Sequence, residues 1–226
     1  MPYLTPQGAA VLDADRAHGV LLECRRVLGA ADATGPDERV VLLAGDAAQL
    51  CGEWREAQRY WRLLVPPAGS INPAVCWRLG SLLYLHGELT AAQAVLLRAD
   101  RGTPDSPAGA DLAAVDAWTA SIAWGTGDRD RAAALAADAV DSATTIGAGR
   151  ALAAAYTVMA MVAAVDGDRE ANLRYDAMAL DHAEAAADLQ QISRIRCNRG
   201  SHLTEQGDYE RAIGELDEAV QLADRC

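Results

Sequence analysis

The sequence predicts an all-α fold, an α-α superhelix of stacked helical hairpins, on three observations. Glycine followed by an acid recurs at Gly52-Glu53, Gly87-Glu88, Gly127-Asp128, Gly167-Asp168 and Gly207-Asp208, at intervals of 35, 40, 40 and 40 residues. Self-similarity on that scale marks an array of supersecondary units. Small residues keep register with it: Ala57, Ala92, Ala132 and Ala212 lie five after the glycine, with Asn172 the exception. Gly45, Gly80, Ala120, Ala160 and Gly200 lie seven before it. Finally, the chain is 51% apolar, rich in alanine and poor in β-branched runs, which favours helix.

The spacing has a mechanical meaning. A glycine ends a helix in the left-handed conformation without steric cost. The acid after it opens the next helix, accepting from free N–H groups and meeting the positive dipole end. Each unit is therefore a helix A, a corner and a helix B, with the small residues where the two backbones cross.

Residues 1–37 are read as a frayed start, a degenerate helix over 8–31 that serves as a cap, and a loop. Its apolar residues Val11, Leu12, Val20, Leu21, Val27 and Leu28 recur at helix spacing. One continuous solenoid domain is expected over 38–226, in repeats 38–72, 73–109, 110–147, 148–187 and 188–226. Repeat 1 has helices over 38–51 and 53–65, stopped by Pro66 and Pro67. Repeat 2 has helices over 73–86 and 88–101, followed by a loop over 102–109 with Pro104 and Pro107. Helices over 110–127 and 128–145 form repeat 3, and the Gly147-Ala148-Gly149 turn follows. Repeat 4 spans helices 150–167 and 168–187, and repeat 5 spans 188–207 and 208–224. The last helix leaves Ala219, Val220 and Leu222 in want of a neighbour. Since terminal repeats usually carry a polar cap, the chain is expected to be a piece of a longer protein or to pair with another copy.

Charge and composition narrow the function. The net charge is −12 and lysine is absent, so all 20 basic residues are arginine. No basic stripe suited to a polyanion is visible, and direct nucleic-acid binding is not expected. Cys24, Cys51, Cys76, Cys197 and Cys226 are scattered, the pattern of reduced thiols in a cytoplasm. No apolar run is long enough for a signal or a membrane span. His18, His86, His182 and His202 stand alone, without a partner at helical metal-site spacing. Gly147-Ala148-Gly149-Arg150 follows a helix rather than a strand and lacks a third glycine, so it reads as a turn and not a phosphate loop. No acid/base pair or nucleophile triad can be singled out. The expectation is a protein that is not an enzyme and needs no cofactor or metal.

The run Gly200…Gly207-Asp208-Tyr209-Glu210-Arg211-Ala212-Ile213…Leu216…Ala219 resembles a tetratricopeptide repeat, as do Gly45…Gly52-Glu53-Trp54…Ala57…Trp61 and Leu79-Gly80…Gly87-Glu88-Leu89…Ala92…Leu96. Repeats 3 and 4 depart from it at Arg129, Arg169 and Asn172. The family's period is 34; about six extra residues lengthen each unit by about 9 Å of helix. That longer form is similar to the repeats of bacterial LuxR/MalT-type transcriptional regulators and of peptide-pheromone sensors. The lysine-free, Ala/Arg/Asp-rich composition resembles actinobacterial proteins. No G-x-x-x-x-G-K-[ST] or basic recognition helix is present, so the resemblance implies at most the sensor or interaction segment of such a regulator.

The resemblance implies a right-handed solenoid with helix A lining a concave groove for a protein or peptide. Carried over residue by residue, the inward positions are Leu42, Asp46, Gln49 and Leu50; Trp77, Ser81, Tyr84 and Leu85; Ala117, Ser121 and Trp124; Thr157, Met161, Ala164 and Val165; and Cys197, Ser201, Thr204 and Glu205, with Arg194 at the mouth. Trp77, Tyr84 and Trp124 read either as ligand anchors or as rings filling a longer interhelix core, whereas Trp54, Trp61 and Trp118 fall at packing positions. The clamp of inward lysines and asparagines found in co-chaperone members is missing. Two further functions remain open: self-association through the last helix, and an effector pocket near Trp77 and Met161.

Overall fold

A computed structural model describes residues 14–30, 37–102 and 109–224. The described residues form eleven α-helices and no strand. They divide into two compact units, one ending at Ile71 and one spanning Asn72–Asp224. The division falls between the first two expected repeats, just beyond Pro66 and Pro67, and so cuts the stretch that the sequence reads as continuous. The expected loop over 102–109 and the start of the first helix fall largely outside the described residues.

The first unit holds α1 (Ala14–Gly29), α2 (Glu38–Leu50) and α3 (Trp54–Leu63). Asp37 caps α2 by accepting from Arg39 N at 2.8 Å. Helix α2 packs against both α1 and α3, over a core of Ala17, Leu21, Val41, Ala44, Ala57 and Trp61. Gly45 exists to admit a ring: a Cβ there would lie 2.1 Å from Trp61 Nε1. Arg25 of α1 ties the hairpin together, its Nε donating to Glu56 Oε1 at 3.2 Å and its Nη2 to Glu53 Oε2 at 2.5 Å.

In the second unit, α4 (Pro73–Leu85) pairs with α5 (Leu89–Leu96) and α6 (Gly109–Gly125) with α7 (Arg129–Ile146). Likewise α8 (Gly149–Val165) pairs with α9 (Arg169–Ala185), and α10 (Leu189–Glu205) with α11 (Tyr209–Asp224). Besides its own B helix, each A helix packs on the next A helix, α4 on α6, α6 on α8 and α8 on α10. Helices α5, α7 and α9 pack on the A helix that follows them. The result is a solenoid-like array with one layer of A helices and one of B helices.

The corners are made as the repeat implies. Gly52, Gly87, Gly127, Gly167 and Gly207 have φ between 72° and 83°. The following acid behaves according to its length. Asp128, Asp168 and Asp208 cap their helices, accepting from Arg131, Ala171 and Arg211 N at 3.3, 2.9 and 3.4 Å, and Asp188, which follows Ala187, accepts from Gln191 N at 3.1 Å. Glu53 and Glu88 make no such bond, because the extra methylene overshoots the N–H groups that Asp reaches. The B helix of the second repeat is shorter than expected, ending at Leu96 rather than 101. Asp100 Oδ1 accepts from Gly102 N at 3.0 Å, a local turn that competes with helix.

Candidate binding face

The sequence places its candidate groove on the A helices, and the two units carry separate parts of it. On α2 of the first unit, Leu42, Asp46 and Gln49 are half-buried. The remaining candidates lie in the second unit, where the structure collects some of them and disperses others.

Arg194 of α10 is the centre of what is collected. Its guanidinium lies 5.1 Å from the Tyr84 ring of α4 and 4.9 Å from the Trp118 ring of α6. Those rings are 5.6 Å apart and tilted by 59°. Nη2 donates to Ser121 Oγ at 3.2 Å and Nη1 to Gln191 Oε1 at 3.5 Å. Gln191 Nε2 in turn donates to Thr157 Oγ1 of α8 at 2.7 Å, and that hydroxyl donates to the Ala153 carbonyl, also at 2.7 Å. One chain of contacts thus joins α4, α6, α8 and α10. A side chain of α10 can touch α4 across two intervening A helices only if the array curls towards this face.

The electrostatics of Arg194 are unusual. It is 9% exposed, and every neighbour named above is neutral. Burial pushes its pKa below the ordinary arginine value, opposed by Tyr84. Among the described residues no carboxylate pairs with it, whereas Arg196 and Arg199 on the same helix are paired with Glu215 at 2.9 and 2.7 Å. Two aromatic faces and two neutral oxygens hold the charge instead.

Two turns back along α4, Trp77 is half-buried and its indole N–H donates to Asp111 Oδ1 at 2.7 Å. The guanidinium of Arg78 lies 4.3 Å from its ring and that of Arg150, from α8, 5.8 Å. Asp111 is also 3.8 Å from Arg78. Arg150 is exposed and has no ion pair among the described residues.

The other candidates go elsewhere. Trp124 and Met161 belong to an apolar cluster with Ala120, Ala123, Ala132, Ala136 and Val158, between α6, α7 and α8. Ser81 is buried, its hydroxyl donating to the Arg78 carbonyl at 2.9 Å. Ser201 is exposed, and no contact links it to the Arg194 cluster. Trp118 was placed among packing residues by its position, and it is buried, yet it forms one wall of the arginine site. Gln191 carried no signal in the sequence. Arg150 enters the sequence reading only as the last residue of the Gly147-Ala148-Gly149-Arg150 turn.

No group of metal-ligating side chains converges among the described residues. His182 stacks on Tyr156 at 5.9 Å, and His202 Nδ1 lies 3.4 Å from Asn172 Nδ2. Cys24 and Cys76 are buried and form no disulfide; Cys76 Sγ donates to the Val95 carbonyl at 3.5 Å, and burial pushes its thiol up to about 12. Among the described residues no helix is long and apolar enough to cross a membrane. On α11, Ala219 is buried, not open as expected; the exposed face is Tyr209, Ile213, Leu216 and Val220.

No protein-family profile matches the chain, and no curated protein matches it. A solved structure, BtubC (BKLC) from P. vanneervenii, is similar at 17% identity, with a TM-score of 0.49 over 92% of this chain and 89% of that one.

Proposed function

We propose that this chain is a non-catalytic binding scaffold of the tetratricopeptide type, and that the A-helix face of its second unit holds a protein or peptide segment. The observation that carries the proposal is the arginine site: a guanidinium nine-tenths buried between Tyr84 and Trp118, with no carboxylate beside it. Burying a charge without a counter-charge is costly, and a fold retains such a group most readily where a partner completes it. Half-buried Trp77 and Tyr84 on the same helix face supply apolar contact area at the rim. The length of the repeats supports a role as the sensor or interaction segment of a bacterial, actinobacterial-like regulator acting in the cytoplasm.

The test is a selection of random dodecapeptides displayed against the immobilised chain. Enriched peptides should bind the wild type and lose binding to Trp77→Ala and Tyr84→Ala at unchanged helical circular dichroism. No enrichment, or equal binding to both variants, contradicts the proposal.

A second reading, self-association, is favoured by the apolar face of α11, where Tyr209, Ile213 and Val220 are 64, 60 and 59% exposed. Light scattering over a concentration series checks it, and a monomer at every concentration contradicts it.

A further inference from the structure

The first and last hairpins carry opposite charge at the same places on their B helices. Counted from the corner glycine, the third, seventh and tenth residues are Arg55, Arg59 and Arg62 on α3, and Glu210, Gly214 and Asp217 on α11. None of the three hairpins between is basic, or acidic, at more than one of these positions. Residues three and four apart share one side of a helix. All six are exposed, on the side opposite the buried Ala57 of α3 and the buried Ala212 and Ala219 of α11.

Nothing nearby neutralises either row. Among the described residues Arg55, Arg59 and Arg62 make no ion pair, and Arg55 lies instead 4.4 Å from the Trp54 ring. The neighbouring acids Glu53 and Glu56 are held by Arg25. Glu210 and Asp217 make no ion pair among the described residues either, and Arg211 beside them pairs with Asp208. Like charges three and four apart destabilise a helix, a cost that an opposite row removes. The rows also match in length: Arg55 and Arg62, like Glu210 and Asp217, are seven residues apart, about 10 Å along the helix. Between the acids Gly214 leaves room, since a Cβ there would meet nothing within 4 Å. Exposed ion pairs alone contribute little. However, Ile213 and Val220 lie beside the acids and Leu63 beside the arginines, all exposed, and burying them adds an apolar share.

We infer that the exposed face of α11 receives α3 of a second copy of this chain, laid antiparallel, with Arg55 on Asp217 and Arg62 on Glu210. This rests on the self-association reading above and adds to it the surface that meets α11. Two α11 helices facing each other would set acid against acid, which opposes association. Because the two faces differ, the contact is heterologous. Each copy keeps one face free, and copies add one to the next as a ring or an open filament.

The experiment is sedimentation velocity of the full chain over a concentration series, at low and high salt. We expect species that grow with concentration and dissociate in high salt, as screening of exposed charges requires. One variant reverses the first row (Arg55→Glu, Arg59→Glu and Arg62→Glu together), and another reverses the second (Glu210→Arg with Asp217→Arg). Each alone should associate at least tenfold more weakly than wild type, at unchanged helical circular dichroism. Mixed, the two should associate again, because every contact between them regains opposite charges. Should the triple variant not fold, the single exchange Arg62→Glu mixed with Glu210→Arg decides in the same way. Oligomers that ignore salt and survive reversal of the α3 row, or mixtures that stay as weak as their components, overturn this inference while leaving self-association standing. A wild type that is monomeric at every concentration overturns both.

Discussion

Asp176 departs furthest from its place in the repeat. Forty residues earlier the same position is Ala136, and forty later it is Leu216. The aspartate is 3% exposed, its Oδ1 has no hydrogen-bond partner, and burial raises its pKa to about 7. Arg199 of α10 opposes that shift and Glu215 of α11 adds to it. Asn172, four residues before it, replaces the alanine of the other repeats and uses its amide, donating to the Ala160 carbonyl at 3.0 Å. The seam after the fourth hairpin is therefore polar where others are apolar. Because the folded pKa exceeds the unfolded one, the folded state holds the extra proton between about pH 4 and 7. Stability from this group is complete below that window and is lost as pH rises through 7. The loss should be on the order of 2–4 kcal/mol. Denaturant titrations of wild type and Asp176→Asn should differ by this slope, the variant being relatively more stable at pH 8 than at pH 4. Ala187 is a second departure from the pattern, a half-buried non-glycine corner at φ 47°. Ala187→Gly should raise stability by about 0.5–1 kcal/mol, because relief of left-handed strain exceeds the entropic cost of glycine.

Among the helices, the hairpin crossing follows one rule of size. Sixteen residues after each small A-helix position stands the residue that packs on it: Gly45 receives Trp61, Gly80 receives Leu96 and Gly200 receives Leu216. A Cβ at Gly80 would lie 2.6 Å from Leu96 and one at Gly200 2.7 Å from Leu216. At the third hairpin Ala120 is matched with Ala136, both buried. Gly45→Ala should thus cost about 1–3 kcal/mol by overpacking, read as a lower denaturant midpoint. Caps give a paired contrast: Asp168→Ala should cost about 1 kcal/mol, while Glu88→Ala should cost a few tenths at most, because only the aspartate reaches a backbone N–H. This level was the most legible in the sequence. Corners and caps are set by residues within a few positions of one another, so the glycine-acid pairs located each turn. What escaped was also local but weaker, as with Asp100, which accepts from Gly102 N just beyond the early end of α5.

For the whole molecule, the sequence disclosed that hairpins stack and on which side the A helices lie. It did not disclose how tightly the second unit curls. Curvature accumulates from small rotations between neighbouring hairpins, and no linear spacing encodes it. Hence Tyr84, Ser121, Thr157 and Arg194 were placed on the right helices while the bond joining Arg194 to Ser121, 73 residues away, could not be foreseen. Met161 lies instead in the core between α6, α7 and α8, with the half-buried Trp124 ring packed against it. The curl also makes the arginine site a property of the assembled unit, since no single hairpin contains it.

The most direct measurement is nuclear Overhauser spectroscopy between the Tyr84 and Trp118 rings and the Arg194 side chain. The curled array places that side chain about 5 Å from both rings. The expected result is cross-peaks to the Arg194 δ-methylene, which ring currents should shift upfield. Cross-peaks between Tyr84 and Trp118 without any to Arg194 would show that α10 does not reach α4, and the account of this face would be wrong.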